Sequence, residues 1–300
     1  MAVRATFLKS WKVRIGLGVL AFFLLLAVFG PWFTHLLGLD PRVNDTSAID
    51  RPPGGGHPLG TDQFGQDVLA QVIAGARGSM YVGLVGAVVS TAIAILVGVP
   101  AGYYGGKVDA ALNFLTNLFL VMPVLPLIMI VAGYLQGTGL TTIALIVGFF
   151  GWSGGARTLR AQAMSIANRD FVRAMRMLGE RGRRLVFAEV LPHLTGLIAS
   201  MFLHAMIGAV LAEAGLAFLG ISDSSSISWG TLIQSAQQQS AVLRGFWWWF
   251  VPPGLCIALL GTAAALINFG VDELANPKLR VVRPVRPPRR VRRLAQAGEN

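Results

Sequence analysis

Few residues in this 300-residue chain have the types and spacing to do covalent chemistry. Gly151-Trp152-Ser153-Gly154-Gly155 matches the G-x-S-x-G pattern of serine hydrolases. That pattern needs a strand-to-helix turn and a His/acid pair, and here it closes a long apolar run. Small residues for close helix packing are the better reading. No G-x-x-x-x-G-K-[ST] phosphate loop occurs, so ATP hydrolysis is not expected of this chain. His35, His57, His193 and His204 stand apart without metal-ligand spacing, and no metal is expected. The single cysteine, Cys256, lies in an apolar block and reads as a buried, inert thiol. Glu213 is the one carboxylate inside an apolar span, near its outer end. Intramembrane ionisable groups are functional candidates. It could face a translocation cavity, bond a neighbouring helix or reach outward, and a structural or gating role is favoured. His204, nine residues earlier, falls on the opposite side of the helix.

The strongest pattern is the stretch from Asn168 to Pro192, which carries Arg169, Arg173, Arg176, Arg181, Arg183 and Arg184 between two apolar spans. Phe171, Ala174, Met175 and Leu178 recur at i, i+3, i+4, i+7, one face of a helix. Gly179 ends or bends that helix, and a second basic helical piece runs to Leu191-Pro192, where proline can start the next helix. The stretch therefore predicts an amphipathic helix-turn-helix offered to something outside the bilayer. Two occupants fit the pattern alone, anionic lipid held by the arginines and a partner protein.

The elements that must position these residues are membrane spans. The composition is 54% apolar and 13% charged, beyond what a soluble domain shows. Ile15 to Thr34 is charge-free, and its 20 residues suffice to cross about 30 Å of hydrocarbon. Its length, without a small-residue cleavage site, argues against a cleaved signal. Trp32 and Phe33 read as interfacial anchors. Further spans are expected at about 80–103, 111–135, 140–156, 194–219 and 246–270. Pro123 and Pro126 predict a kink inside the third. Thr61-Asp62 reads as the start of a short external amphipathic helix leading into span two. Phe246-Trp247-Trp248-Trp249-Phe250 reads as an aromatic belt at the interface. With six spans and an inside N-terminus, 21 Lys and Arg lie inside and 4 outside, so both termini are expected in the cytoplasm. The net charge of +11 is thus explained by topology, and nucleic acid is not expected as a partner. The Arg/Pro-rich tail, 281–300, reads as flexible and lipid-associated.

Three separated patterns resemble one family. Ala174, Gly179 and then Glu189-Val190-Leu191-Pro192 resemble the EAA loop of ABC-importer permeases, with Arg173 at the Glu position and Met175 at the second Ala. Gly60-Thr61-Asp62 through Gly75-Ala76-Arg77 resembles the external motif of dipeptide and oligopeptide permeases, with Gln66 and Gln71 in place of two arginines. Leu211 to Ile221, followed by Ser228-Trp229-Gly230, is similar to the exit of span five in the same group. The chain is identified on these motifs as a C-type permease of the dipeptide/oligopeptide/nickel branch. The resemblance implies an all-α polytopic membrane protein with six transmembrane helices and a cytoplasmic coupling helix, the type I ABC importer fold. It implies a first span with the start of an external loop over 1–56, a permease domain over 57–280 and the basic tail. It implies import of peptides across the bacterial cytoplasmic membrane by alternating access. It also implies a heterodimer with a second permease, two cytoplasmic ATPases that hold ATP and Mg, and an external substrate-binding protein. Phe171, Arg173, Ala174, Met175, Leu178, Gly179, Leu191 and Pro192 would meet the ATPase. Nickel or another small solute remains an alternative cargo, and a stand-alone secondary transporter or channel the alternative class. The motifs assign no cargo-binding residues.

Overall fold

The computed structural model describes residues 10–36, 38–135, 139–222 and 226–275. The basic tail over 281–300 lies outside the described residues. Helices dominate, and the described residues hold no strand, only isolated bridges at Gly54–His57 and Thr61–Asp67. In chain order the helices are α1 (Trp11–Leu36), α2 (Val68–Tyr104), α3 (Gly106–Val121), α4 (Val124–Tyr134), α5 (Leu140–Phe150) and α6 (Ser153–Ala167). Then follow α7 (Asp170–Met177), α8 (Gly182–Arg184), a π-helical turn (Leu185–Val190), α9 (Leu191–His193), α10 (Thr195–Phe218), α11 (Trp229–Gln238) and α12 (Trp247–Ala275).

The molecule is built around α2, whose 37 residues give a rod of about 55 Å, longer than the hydrocarbon is thick. It packs against α1, α5, α6 and α10. Small residues permit the approach, because helices in lipid gain from close backbone contact rather than from apolar burial. A Cβ on Gly83 would come within 2.8 Å of Val210, and one on Gly86 within 2.8 Å of Ala209. One on Gly98 would strike the Ala156 carbonyl of α6. A mutual contact joins α2 to α5, where a Cβ on Gly148 would lie 2.8 Å from the Gly86 carbonyl.

Several sequence expectations are corrected. The external amphipathic helix does not start at Thr61-Asp62. Helix α2 begins at Val68 and runs unbroken through the second span, because Asp67 caps it by accepting from the Ala70 N–H at 2.9 Å. Thr61 and Asp62 instead sit in a folded loop, between Gly60 and Gly65, both at positive φ. The expected kink in span three is an 81° break between α3 and α4. Proline disfavours the helical region for the residue before it, and Met122 is extended at ψ 134°. Pro126 falls in the first turn of α4, where its missing N–H costs nothing. The run expected as one span over 140–156 ends at Phe150, and α6 begins afresh at Ser153. Length and apolarity alone give four spanning helices, α1, α2, α10 and α12, or five with the α3–α4 pair. The aromatic belt is also partly internal. Trp248 and Trp249 are buried, and their indole N–H groups donate to the Thr61 carbonyl at 3.2 and 2.7 Å. A buried indole needs an acceptor, and the loop carbonyl supplies it. Trp247 stays exposed, as do Trp32 and Phe33.

Candidate functional site: the basic helix-turn-helix and its outer counterpart

The basic stretch forms the expected helix-turn-helix between α6 and α10. Arg169 is extended, so α7 starts on a new axis after α6. Its anchor differs from the expected face. Val172, 0% exposed, is the residue of α7 that enters the core, with Met175 packed beside it. They meet Leu159, Ala163 and Ile166 of α6, Leu185, Val186 and Val190 of the π-helical turn, and Tyr103 at the end of α2. Phe171, Arg173 and Ala174 are left exposed, and Met177 and Leu178 are 82% and 84% exposed. Periodicity finds a stripe but not which neighbour it faces. On α7 the short helix is held by one β-branched residue, and most of the stripe points away from the chain.

Gly179 closes α7 at φ +80°. The Glu180 N–H donates to Met175 O at 3.2 Å and the Gly179 N–H to Arg176 O at 3.1 Å, a Schellman motif. A Cβ at Gly179 would meet nothing within 4 Å, so glycine is needed there for its backbone conformation alone. Arg184 pairs with Glu180 at 3.1 Å one turn apart. The Arg176 guanidinium lies 4.9 Å over the Tyr103 ring, and Gly182 approaches Tyr104. The loop is thereby seated on the C-terminal end of α2, a contact the sequence pattern did not signal. Pro192 lies just inside α9 and lacks the N–H for a regular ladder, and the chain passes through the π-helical turn immediately before it. Leu191 is half-buried and Pro192 exposed. Phe171 stacks against His193 at 5.6 Å.

Glu213 is fully buried in α10, against the start of α11. Its Oε1 accepts from the Ser228 hydroxyl at 2.6 Å. Gly230 lies so close that a Cβ would meet Ala214 Cα at 2.6 Å and both carboxylate oxygens at about 3 Å. Trp229, 0% exposed, donates its backbone N–H to Ser79 Oγ and its indole N–H to Val72 O, each at 3.0 Å. Ser228-Trp229-Gly230 therefore keys α11 into α2 and α10. Of the sequence alternatives for Glu213, the bond to a neighbouring element is the one observed. His204 is exposed and forms no site with it. Ser153 is buried at the start of α6, and Gly155 packs where a Cβ would crowd Met201, in keeping with a packing role for that motif.

At the opposite end of α2, the 41–66 loop, the start of α2 and α11 enclose a cavity of about 530 Å³. Asp62 lies in its lining, accepting at Oδ1 from the Phe64 and Gln66 N–H groups at 2.8 and 2.9 Å and at Oδ2 from Gln71 Nε2 at 2.8 Å. Gln71 also donates to Gln66, which donates to Asn44 at 2.7 Å. The two glutamines thus extend a chain of amides to the carboxylate. Burial pushes the Asp62 carboxyl above its usual range despite these donors. A wider cavity of about 830 Å³ adjoins along Pro41, Arg42, Ser226 and Ile227 and contains Arg77. Groups of three or more potential metal ligands are absent among the described residues.

Mostly helical described residues, with several long apolar helices and a basic helix-turn-helix, define a polytopic membrane protein. The chain belongs to the family of binding-protein-dependent transport system inner membrane components, whose profile matches residues 94–281. It is 35% identical over 272 residues to the oligopeptide transport system permease protein OppC of Mycobacterium tuberculosis, covering 90% of this chain and 92% of that one. It is 31% identical over 273 residues to the dipeptide transport system permease protein DppC of Bacillus subtilis, covering 91% and 83%. The Bacillus subtilis OppC is 29% identical over 276 residues. The matched region contains α6 to α11 whole, and so both the basic loop and the Glu213 contact.

Proposed function

We propose that this chain is one permease subunit of an ATP-driven ABC importer that carries short peptides across the bacterial cytoplasmic membrane. The names of its relatives support peptides as cargo. The observation that carries the coupling role is the exposure of Phe171, Met177 and Leu178, with arginines between them, on a helix that Val172 pins to the body. A surface so apolar and so firmly held fits a protein groove better than water.

In this reading the chain spans the membrane six times, as α1, α2, the broken α3–α4, the α5–α6 pair, α10 and α12, with both termini in the cytoplasm. A second homologous permease completes the pathway. Two cytoplasmic ATPases bind ATP and Mg²⁺, and an external binding protein delivers cargo. Closure of the ATPases pushes α7, and the thrust passes through Arg176 and Tyr103 into the rod of α2. Residues 57–280 form the permease domain. Phe171, Arg173, Ala174, Met175, Leu178 and Gly179 shape the docking helix, and Leu191 and Pro192 seat its return.

Mild-detergent purification from the native membrane, with mass spectrometry of what accompanies the chain, tests this. A second permease and one or two ATPases are expected. Recovery of the chain alone, still active in uptake, overturns the reading. Within the assembled importer, Ala174→Trp places bulk on the exposed docking face and is expected to uncouple uptake from ATP hydrolysis. Unchanged uptake would remove α7 from the coupling role.

A further inference from the structure

We propose that the outer cavity between the 41–66 loop and α11 is a subsite for the amino-terminal end of a peptide, with Asp62 facing its ammonium group and the Gln234 amide pairing with its main chain. The proposal rests on the peptide-importer reading and adds a place and a chemistry for the cargo on this subunit.

Gln234 supplies the first observation. It lines the cavity, is 9% exposed, and has no hydrogen-bond partner among the described residues. The residue is largely buried while its amide stays accessible from the cavity, so a ligand or water entering there can pair with it. Its buried neighbours are all engaged. Gln71 bonds Asp62 and Gln66, Ser228 bonds Glu213, and Thr231 completes the capping box of α11. A glutamine amide offers one acceptor and two donors, which matches the acceptor and donor of a peptide group whatever its side chains are.

Asp62 supplies the second. Three donors reach it, two on Oδ1 and one on Oδ2, which leaves acceptor capacity on Oδ2. No Lys or Arg forms an ion pair with it among the described residues. A half-buried carboxylate without a cation is electrostatically incomplete, and an ammonium group is the compact donor that would complete it. The rest of the lining mixes amide and hydroxyl side chains with apolar ones, which suits a carrier of many sequences.

The test uses the detergent-purified assembly of this chain with its partner permease and ATPases, without the binding protein. Saturation-transfer NMR measures binding of tri-alanine, of N-acetyl-tri-alanine and of a depsi analogue in which an ester replaces the first amide. Wild type is expected to bind tri-alanine more tightly than either analogue. Asp62→Asn keeps the Oδ1 acceptor for the Phe64 and Gln66 N–H groups. It is expected to weaken tri-alanine roughly tenfold or more, the scale of a hydrogen bond to a charged group, and to leave the acetylated peptide unchanged. Gln234→Ala is expected to weaken tri-alanine more than the depsi analogue, whose ester keeps only the carbonyl half of that pairing, and it carries the test alone if Asp62→Asn assembles poorly. Absence of tri-alanine binding to wild type, or variants that affect all three ligands alike, overturns the subsite. Uptake of tri-alanine by the wild-type importer with its binding protein separates the two failures. Uptake without binding here sinks only this subsite, and no uptake sinks the peptide-importer reading as well.

Discussion

At the residue scale, two glycines do different work for different reasons. Gly179 is required for its backbone, since its φ of +80° is strained for any residue with a Cβ, while the space around it is open. Gly179→Ala should therefore destabilise the turn by about 1 kcal/mol without any clash. Limited proteolysis should then cut the 177–182 segment faster, and an unchanged cleavage rate would contradict a strained turn. Gly230 is required for space. Gly230→Ala would drive a methyl group into Ala214 and the Glu213 carboxylate, an overpacking that costs on the order of 1–3 kcal/mol. Glu213→Gln keeps an oxygen for the Ser228 hydroxyl and should be much milder. Thermal unfolding in detergent should rank wild type and Glu213→Gln together, well above Gly230→Ala. The reverse order would mean that the charge of Glu213, rather than its shape and bond, holds α11. The motif around Glu213 was legible in the sequence as a pattern, but its partner, fifteen residues along the chain, was not.

At the element scale, the break between α3 and α4 is decided by one residue. Pro123 both lacks an N–H and forces Met122 out of the helical region, so two short helices meet at 81° where one kinked helix was expected. Pro123→Ala removes both constraints. The prediction is that 106–134 straightens toward a single helix, which spin labels at Asn113 and Met129 would report as a longer distance. An unchanged distance would assign the bend to packing against neighbouring helices. Proline is visible in a sequence, but whether a helix kinks or breaks depends on what its freed carbonyls meet. Helix α2 makes the same point. It runs through Arg77 without a break, well ahead of the charge-free span expected from about residue 80. A charge ends the hydrocarbon segment of a helix without ending its hydrogen-bond ladder.

At the scale of the whole molecule, α2 joins the two functional ends. Its C-terminal end lies under Arg176 of the basic loop, and its N-terminal end carries Gln71 beside the Asp62 cavity. In the proposed importer, a 37-residue helix packed on several sides would transmit displacement from the basic loop to the far end as a rod. The charge bias predicts that the Arg176 end of that rod faces the cytoplasm. In a Cys256→Ala background, a cysteine at Ser47 or Gln238 should react with a membrane-impermeant maleimide from outside, and one at Met177 only after permeabilisation. The opposite labelling would invert the topology and separate the basic loop from any cytoplasmic ATPase.

The sequence alone determined the membrane class, the helix-turn-helix with its closing glycine and the family. Each is written in local terms: charge-free length, spacing along one helix, and motifs of a few adjacent residues. Tertiary structure decided which side of α7 is buried, where Glu213 finds its hydroxyl, why two tryptophans of the apparent belt turn inward, and which amide is left open beside Asp62. These depend on partners up to 188 residues away in the chain, as in the bond from Trp249 to the Thr61 carbonyl. A helical period states that a residue lies on a face; only the packing of one helix against another states what that face meets.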